Sequence, residues 1–215
     1  MASNIIHKLS QGLPSGPAPS AGIPAVKARA EAERRAWSGL SETSPAALPL
    51  LSRYWRTAGL SPSEWTPAGT PWSAAFVSEL LHPYGLPPAT AHFQYVQSVI
   101  DGDAPGWTAY RIDGPVQLAP GDVIVKPRGA GSPTDDAYWW SHGDVIYDVS
   151  GGRAYWVGGN VGDTLKSGSF LQAGEGDGAD LDGAYVIILR PPQKKSVNPL
   201  LIVCALLLGV AVFRR

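Results

Sequence analysis

Ser141-His142-Gly143-Asp144-Val145-Ile146-Tyr147-Asp148-Val149-Ser150-Gly151-Gly152-Arg153-Ala154-Tyr155-Trp156-Val157 has the pattern of a β-hairpin. Residues 142–149 alternate with the period of two that marks a half-buried strand, and they are rich in β-branched and aromatic types. Gly151-Gly152 supplies a tight turn, and residues 153–157 read as the returning strand of a hairpin.

The same texture extends to both sides. Upstream, Pro120-Gly121 makes a turn into a short strand at 121–126; downstream, 164–171 and 184–189 complete an expected five-stranded antiparallel sheet. The chain before residue 101 is of another kind. Residues 25–39 are strong helix formers closed by Gly39. Ser44-Pro45 offers a cap and a first-turn proline for a second helix, which carries Leu48, Leu51, Tyr54 and Trp55 at helical spacing and ends near Gly59. By the same logic Thr70-Pro71 starts a third helix, through Trp72, Ala75, Phe76, Glu79 and Leu80 to about His82, and residues 91–100 form a fourth. Helices first and strands second describe an α+β fold, a helical N-terminal part packed on a small antiparallel sheet.

The two ends differ from this body. Residues 1–22 are rich in Pro and Ser and have no apolar core, so they read as a flexible leader and not as a signal peptide. Residues 199–213 are apolar or small throughout, bracketed by Lys194-Lys195 and Arg214-Arg215. At 1.5 Å per residue this run reaches roughly 22 Å, short of a hydrocarbon core of about 30 Å, but its basic flanks can snorkel to the headgroups. With no polar face, it reads as one C-terminal transmembrane helix touching the lipid bilayer, in a bacterial inner membrane or a virion membrane. Two basic residues at each end leave its orientation open. The expected organisation is a leader at 1–22, an α+β domain at 23–192 and an anchor at 193–215.

Composition excludes several chemistries. Net charge is −1 with no basic stripe, which argues against nucleic acid as a partner. The one cysteine, Cys204, falls in the anchor, so the domain has no internal disulfide, no thiolate metal site and no cysteine nucleophile. His92, His142 and Asp144 could in principle meet around a metal. They lack any spacing typical of zinc ligands, so neither a metal nor a cofactor is expected.

Six phrases then carry a resemblance. Pro71-Trp72-Ser73-Ala74-Ala75-Phe76-Val77, Ala119-Pro120-Gly121-Asp122-Val123-Ile124, Ser141-His142-Gly143-Asp144-Val145 and Gly158-Gly159-Asn160-Val161 stand in the order used by papain-like cell-wall amidases and peptidases, the NlpC/CHAP superfamily. With Tyr54-Trp55 and Ala91-His92-Phe93-Gln94-Tyr95, the chain over about residues 25–190 resembles the domain of unknown function 2272 branch. That resemblance implies a papain-like fold with Ser73 at the position of the nucleophilic cysteine. It implies His142 as the base, Asn160 as the residue orienting it, and peptidoglycan or cell-wall peptide as substrate.

On physical grounds, a side chain in the first turn of a helix meets free backbone N–H groups and the positive end of the dipole, which favours an oxyanion. A serine there needs a base to take its proton, and an Asn-supported histidine would be a weak one because a neutral amide does not offset the imidazolium charge. The plainer reading of Ser73 is helix-end capping, and of Asn160 a left-handed turn residue. His92 reads either as a histidine hydrogen-bonded at a helix start or as a residue at the rim of the cleft, where it could act on substrate or pair with Asp144. Trp72, Asp144 and Trp140 could contribute to substrate binding; for the cluster Tyr138-Trp139-Trp140 core packing is the alternative. Three functions follow as expectations: an anchored peptidoglycan hydrolase cutting an amide, a binding module that has lost turnover, or a structural membrane protein of a phage or prophage.

Overall fold

The computed structural model describes residues 12–127, 141–172, 181 and 185–192. The anchor at 199–213, Trp140 with its two aromatic neighbours, the first eleven residues and the start of the last expected strand lie outside the described residues. Among those that are described, no helix is long and apolar enough to cross a membrane.

Four α-helices come first: α1 (Val26–Ala36), α2 (Leu48–Thr57, entered through a 3-10 turn at Pro45–Ala47), α3 (Ser73–Leu81) and α4 (His92–Asp101). Six strands follow: β1 (Thr108–Arg111), β2 (Val123–Pro127), β3 (Ser141–Ser150), β4 (Arg153–Gly158), β5 (Lys166–Leu171) and β6 (Ile187–Arg190). They form one sheet in the order β1-β6-β2-β3-β4-β5, with every neighbouring pair antiparallel.

The sheet has one strand more than the pattern implied. Residues 108–111 (Thr-Ala-Tyr-Arg) are too few to show a period, and they become a strand because β6 offers them an edge to pair with. The strand expected at 164–171 begins at Lys166, because the Thr164 hydroxyl donates to Leu40 O at 2.7 Å and ties that residue to the helical half. The helix expected from Thr70-Pro71 begins at Ser73 with Trp72 as its N-cap residue. Thr70 is not the cap because its hydroxyl accepts from Thr66 N at 3.1 Å.

Alternation assigns each strand residue to a face. Val123, Val125, Val145, Tyr147, Val157, Ile187 and Leu189 share one apolar cluster with the helices; Ile124, Ile146, Ala154 and Ile188 belong to a second cluster on the opposite face. A buried ion pair closes the sheet. Arg190 at the end of β6 donates to both carboxylate oxygens of Asp122 at 2.9 and 2.6 Å, and Asp122 also accepts from Ala119 N at 2.8 Å.

The aromatic content of the helical half is spent on holding α3. Trp37 stacks on Trp72 with ring centroids 4.5 Å apart, Tyr54 stacks on both, and Phe76 closes the cluster edge-on. Each polar tip has a partner: Trp37 Nε1 donates to Tyr54 Oη at 2.8 Å, Tyr54 Oη donates to Glu33 at 2.5 Å, and Trp72 Nε1 donates to Glu42 at 3.0 Å. Burial and the neighbouring Glu33 charge push the Tyr54 phenol far above its ordinary pKa, so it stays a neutral donor.

Candidate functional site

Ser73 is the first residue of α3 and is buried, as are the five residues that follow it. The earliest intrahelical bond runs from Phe76 N to Trp72 O, so the N–H groups of Ser73, Ala74 and Ala75 precede the helical ladder. Ser73 Oγ is 2.7 Å from Nε2 of His92, the first residue of α4. The start of α4 is itself fixed, since Gln94 Oε1 accepts from Thr90 N at 2.9 Å and from Ala91 N at 3.1 Å. One helical turn after His92, Tyr95 Oη makes a short hydrogen bond to His92 Nδ1. Burial foremost, and then the charge of Asp144, hold the Tyr95 phenol well above its ordinary pKa, so it is neutral.

This constellation opens on a pocket of about 450 Å³. Trp55, Leu60, Pro71 and Ala74 supply apolar walls, and the polar residues Thr70, Ser73, Thr90, His92 and Ser141 line the rest. Among the described residues no Asp, Glu, Lys or Arg lines it.

The strand histidine stands elsewhere. His142 and Asp144 alternate with Ser141, Gly143 and Val145, and so share the face of Ile146, turned away from α3. Two glycines fit this parity. A Cβ on Gly143 would lie 2.5 Å from Tyr95 Oη and 2.8 Å from His92 Nδ1, whereas one on Gly158 would lie 1.9 Å from Asp144 Oδ1. His142 Nε2 is 2.9 Å from Asp144 Oδ1, Tyr185 donates to Asp144 Oδ2 at 2.5 Å, and Lys126 donates to Tyr185 Oη at 3.2 Å. Burial alone would raise the Asp144 pKa, but His142, Tyr185 and Lys126 together hold it below the ordinary carboxylate range. Burial and the Asp144 charge drive the Tyr185 phenol far upward. The two histidine rings still approach, centroids 5.5 Å apart, so the networks meet at the end of β3.

Asn160 occupies a third place. It sits in the left-handed region at φ 56°. With its amide oxygen accepting from Trp72 N at 3.2 Å, its nitrogen donates to Glu42 at 3.3 Å. It therefore braces the N-cap of α3. Trp72 has no exposed surface. It supports the same helix end from inside the core and offers no face to a ligand.

Of the residues singled out in the sequence, Ser73 and His92 meet directly. His142 pairs with Asp144 on the other face of the sheet, and Asn160 reaches the Ser73 helix through Trp72. Trp140 lies outside the described residues. Tyr95, Ser141 and Trp55 were missed as site residues. Tyr95 carried a legible signal, since positions i and i+3 of one helix are neighbours. Ser141 carried one too, because strand parity groups it with Val145 and not with His142.

No protein-family model matches this chain, and no curated protein does. Among solved structures, the chain is similar to crystal structures of Ly7917, alone and with the hydrolyzing product of MDP, at 21% and 23% identity and a TM-score of 0.29 in both cases. The match spans 42% of this chain and one third (33%) of Ly7917, a likeness that carries no argument about this chain's chemistry.

Proposed function

We propose that this protein is a serine hydrolase that cuts an amide bond in cell-wall peptide, with Ser73 as nucleophile and His92 as general base, held at a membrane by residues 199–213. The observation carrying the reaction is the 2.7 Å contact between Ser73 Oγ and His92 Nε2 beside an uncharged pocket. The substrate class comes from the resemblance of the sequence phrases, and the anchor from the apolar tail.

In the productive tautomer His92 Nδ1–H donates to Tyr95 Oη, leaving Nε2 bare to take the seryl proton. Ser73 Oγ then attacks the amide carbonyl carbon. The N–H groups at the start of α3 face the negative charge that develops on the carbonyl oxygen. His92 returns the proton to the departing amine, the C–N bond breaks, and an ester on Ser73 remains. A water, deprotonated by His92, attacks the ester and releases the acid and the free serine. Tyr95 is neutral, so it fixes the ring without offsetting the imidazolium charge, and turnover should be slow beside triads supported by a carboxylate.

The test is release of muropeptides from purified peptidoglycan by the full chain, followed by mass spectrometry. Ser73→Ala and His92→Ala are expected to reduce release to background with the fold intact by circular dichroism, while His142→Ala keeps it in proportion to folded protein. An active Ser73→Ala variant would end the serine mechanism. Loss with His142→Ala but not with His92→Ala would move the base to β3. Binding of peptidoglycan without release would make the protein an anchored recognition module.

A further inference from the structure

The residue that precedes Ser73 is held at every polar atom it has. Trp72 O accepts from Phe76 N at 2.9 Å, Trp72 N donates to the Asn160 amide oxygen at 3.2 Å, and Trp72 Nε1 donates to Glu42 Oε2 at 3.0 Å. The Asn160 nitrogen donates at 3.3 Å to that same Glu42 oxygen. One carboxylate oxygen thus holds the Trp72 indole directly and the Trp72 backbone N–H through Asn160.

Glu42 is itself locked in place. It lies between α1 and α2, is 6% exposed, and forms no ion pair among the described residues. Its backbone N–H donates to Asp163 O at 2.8 Å, and two residues upstream Leu40 O accepts from the Thr164 hydroxyl at 2.7 Å. Asn160 and Asp163, at φ 56° and 61°, are the non-glycine residues in the left-handed region among those described, and both bond Glu42. A Cβ on Gly159 would lie 2.7 Å from the Trp72 ring and 2.8 Å from Phe76 Cβ, so this loop presses directly on α3. Strained backbone of this kind persists where its surroundings over-determine it, and it collects where geometry matters to function. A carboxylate suits the place because it only accepts: neither oxygen can turn a hydrogen toward Trp72 or Asn160. These bonds fix the backbone one residue before Ser73, and a displacement there passes directly to Oγ and to the N–H groups that follow.

We propose that Glu42 is a positioning residue for Ser73: its Oε2, taking hydrogens from Trp72 Nε1 and Asn160, sets the backbone at the start of α3 and so the alignment of Ser73 Oγ with His92 Nε2. This rests on reading Ser73 as the nucleophile, and it adds a residue outside the pocket lining that acts through its neighbours.

The experiment compares Glu42→Gln with Glu42→Met in the full chain. The two replacements have about the same length and neither is charged, so their difference reads the acceptor and not the charge. Muropeptide release, normalised to the native fraction, is expected within about threefold of wild type for Glu42→Gln. For Glu42→Met, kcat should fall about tenfold to a hundredfold with KM little changed. Asn160→Gly keeps the positive φ and cuts the same bridge with Glu42 in place; it should lose as much, with no further loss when combined with Glu42→Met. Equal kcat per folded molecule for Glu42→Gln and Glu42→Met, a loss carried by KM, or losses that add in the double variant would each overturn the inference. A second readout needs no turnover. In a Ser73→Cys background, alkylation by iodoacetamide across pH should show the introduced thiol titrating about one pH unit higher with Glu42→Met than with Glu42→Gln. That difference without muropeptide release by the wild type would keep the Glu42 assignment and remove the hydrolase. Release by the wild type with equal thiol titration in the two variants would do the reverse.

Discussion

The chemistry of the site turns on which hydrogen His92 carries, and Tyr95 sets that. If the Tyr95 hydroxyl donates to Nδ1, then Nε2 holds the proton and offers Ser73 a donor, which is a resting arrangement. If Nδ1–H donates to the Tyr95 oxygen, Nε2 is a base. The phenol is neutral in both cases, since burial holds its pKa far above the ordinary value. Tyr95→Phe removes the hydroxyl that bonds Nδ1 in both forms and leaves a buried ring nitrogen short of this bond. Muropeptide release by that variant is expected to show a fall in kcat of about tenfold to a hundredfold with KM little changed. Thermal unfolding should show a loss of about 1–3 kcal/mol. A variant with unaltered kcat would show that Tyr95 does not position His92. At this scale Ser73 was legible in the sequence because a serine opening a helix next to Trp72 has a recognisable setting. Its partner was not, because a hydrogen bond across 19 positions is set by how α3 and α4 pack.

Among the elements, β3 decides most. Its alternation was evident from the sequence, but alternation alone does not say which parity faces the helices. Placing Val145 and Tyr147 in the helix-side cluster commits Ser141 and Gly143 to that side and sends His142 and Asp144 to the other. This is why the strand histidine that the resemblance marks as the base bonds Asp144, while a helix histidine takes Ser73. The two glycines make the parity testable. Gly143→Ala puts a Cβ against Tyr95 and His92, and Gly158→Ala puts one against Asp144 and His142. Both should destabilise, by about 1–3 kcal/mol from overpacking. Activity per folded molecule should collapse only for Gly143→Ala, as measured by muropeptide release normalised to the native fraction from denaturant titration. Equal losses of specific activity in the two variants would mean that both faces serve the reaction. The start of α3 teaches a similar lesson. Thr70-Pro71 has the composition of a helix start, yet the Thr70 hydroxyl is engaged by Thr66 and the cap position is held by Asn160 from a distant loop.

The whole molecule places its polar groups where acid can reach its stability. Asp144 has a folded-state pKa below that of the unfolded chain, despite its burial, which acts the other way. Its contribution is therefore fully present above the unfolded carboxylate value of about 3.9 and is lost as pH falls through the lower folded value. Asp122 acts with the opposite sign, because burial outweighs Arg190 and raises its pKa. Protonating it in mild acid thus favours the fold and partly offsets the loss. The thermal midpoint should drop as pH falls below about 4, and Asp144→Asn should start lower but decline less steeply over that window; parallel acid limbs for the two proteins would remove Asp144 from the cause. Across the chain, the order of residues was enough for the local elements: helices where formers, glycines and prolines set them, a Gly-Gly hairpin by its turn, and an apolar tail by its composition. These depend on neighbours within a few residues. The sixth strand, the face on which His142 lies, the brace from Asn160 to Trp72 and the meeting of Ser73 with His92 came from the folded arrangement. Each of those depends on which surfaces bury against one another, and that choice is made by the packing of the helices on the sheet as a whole.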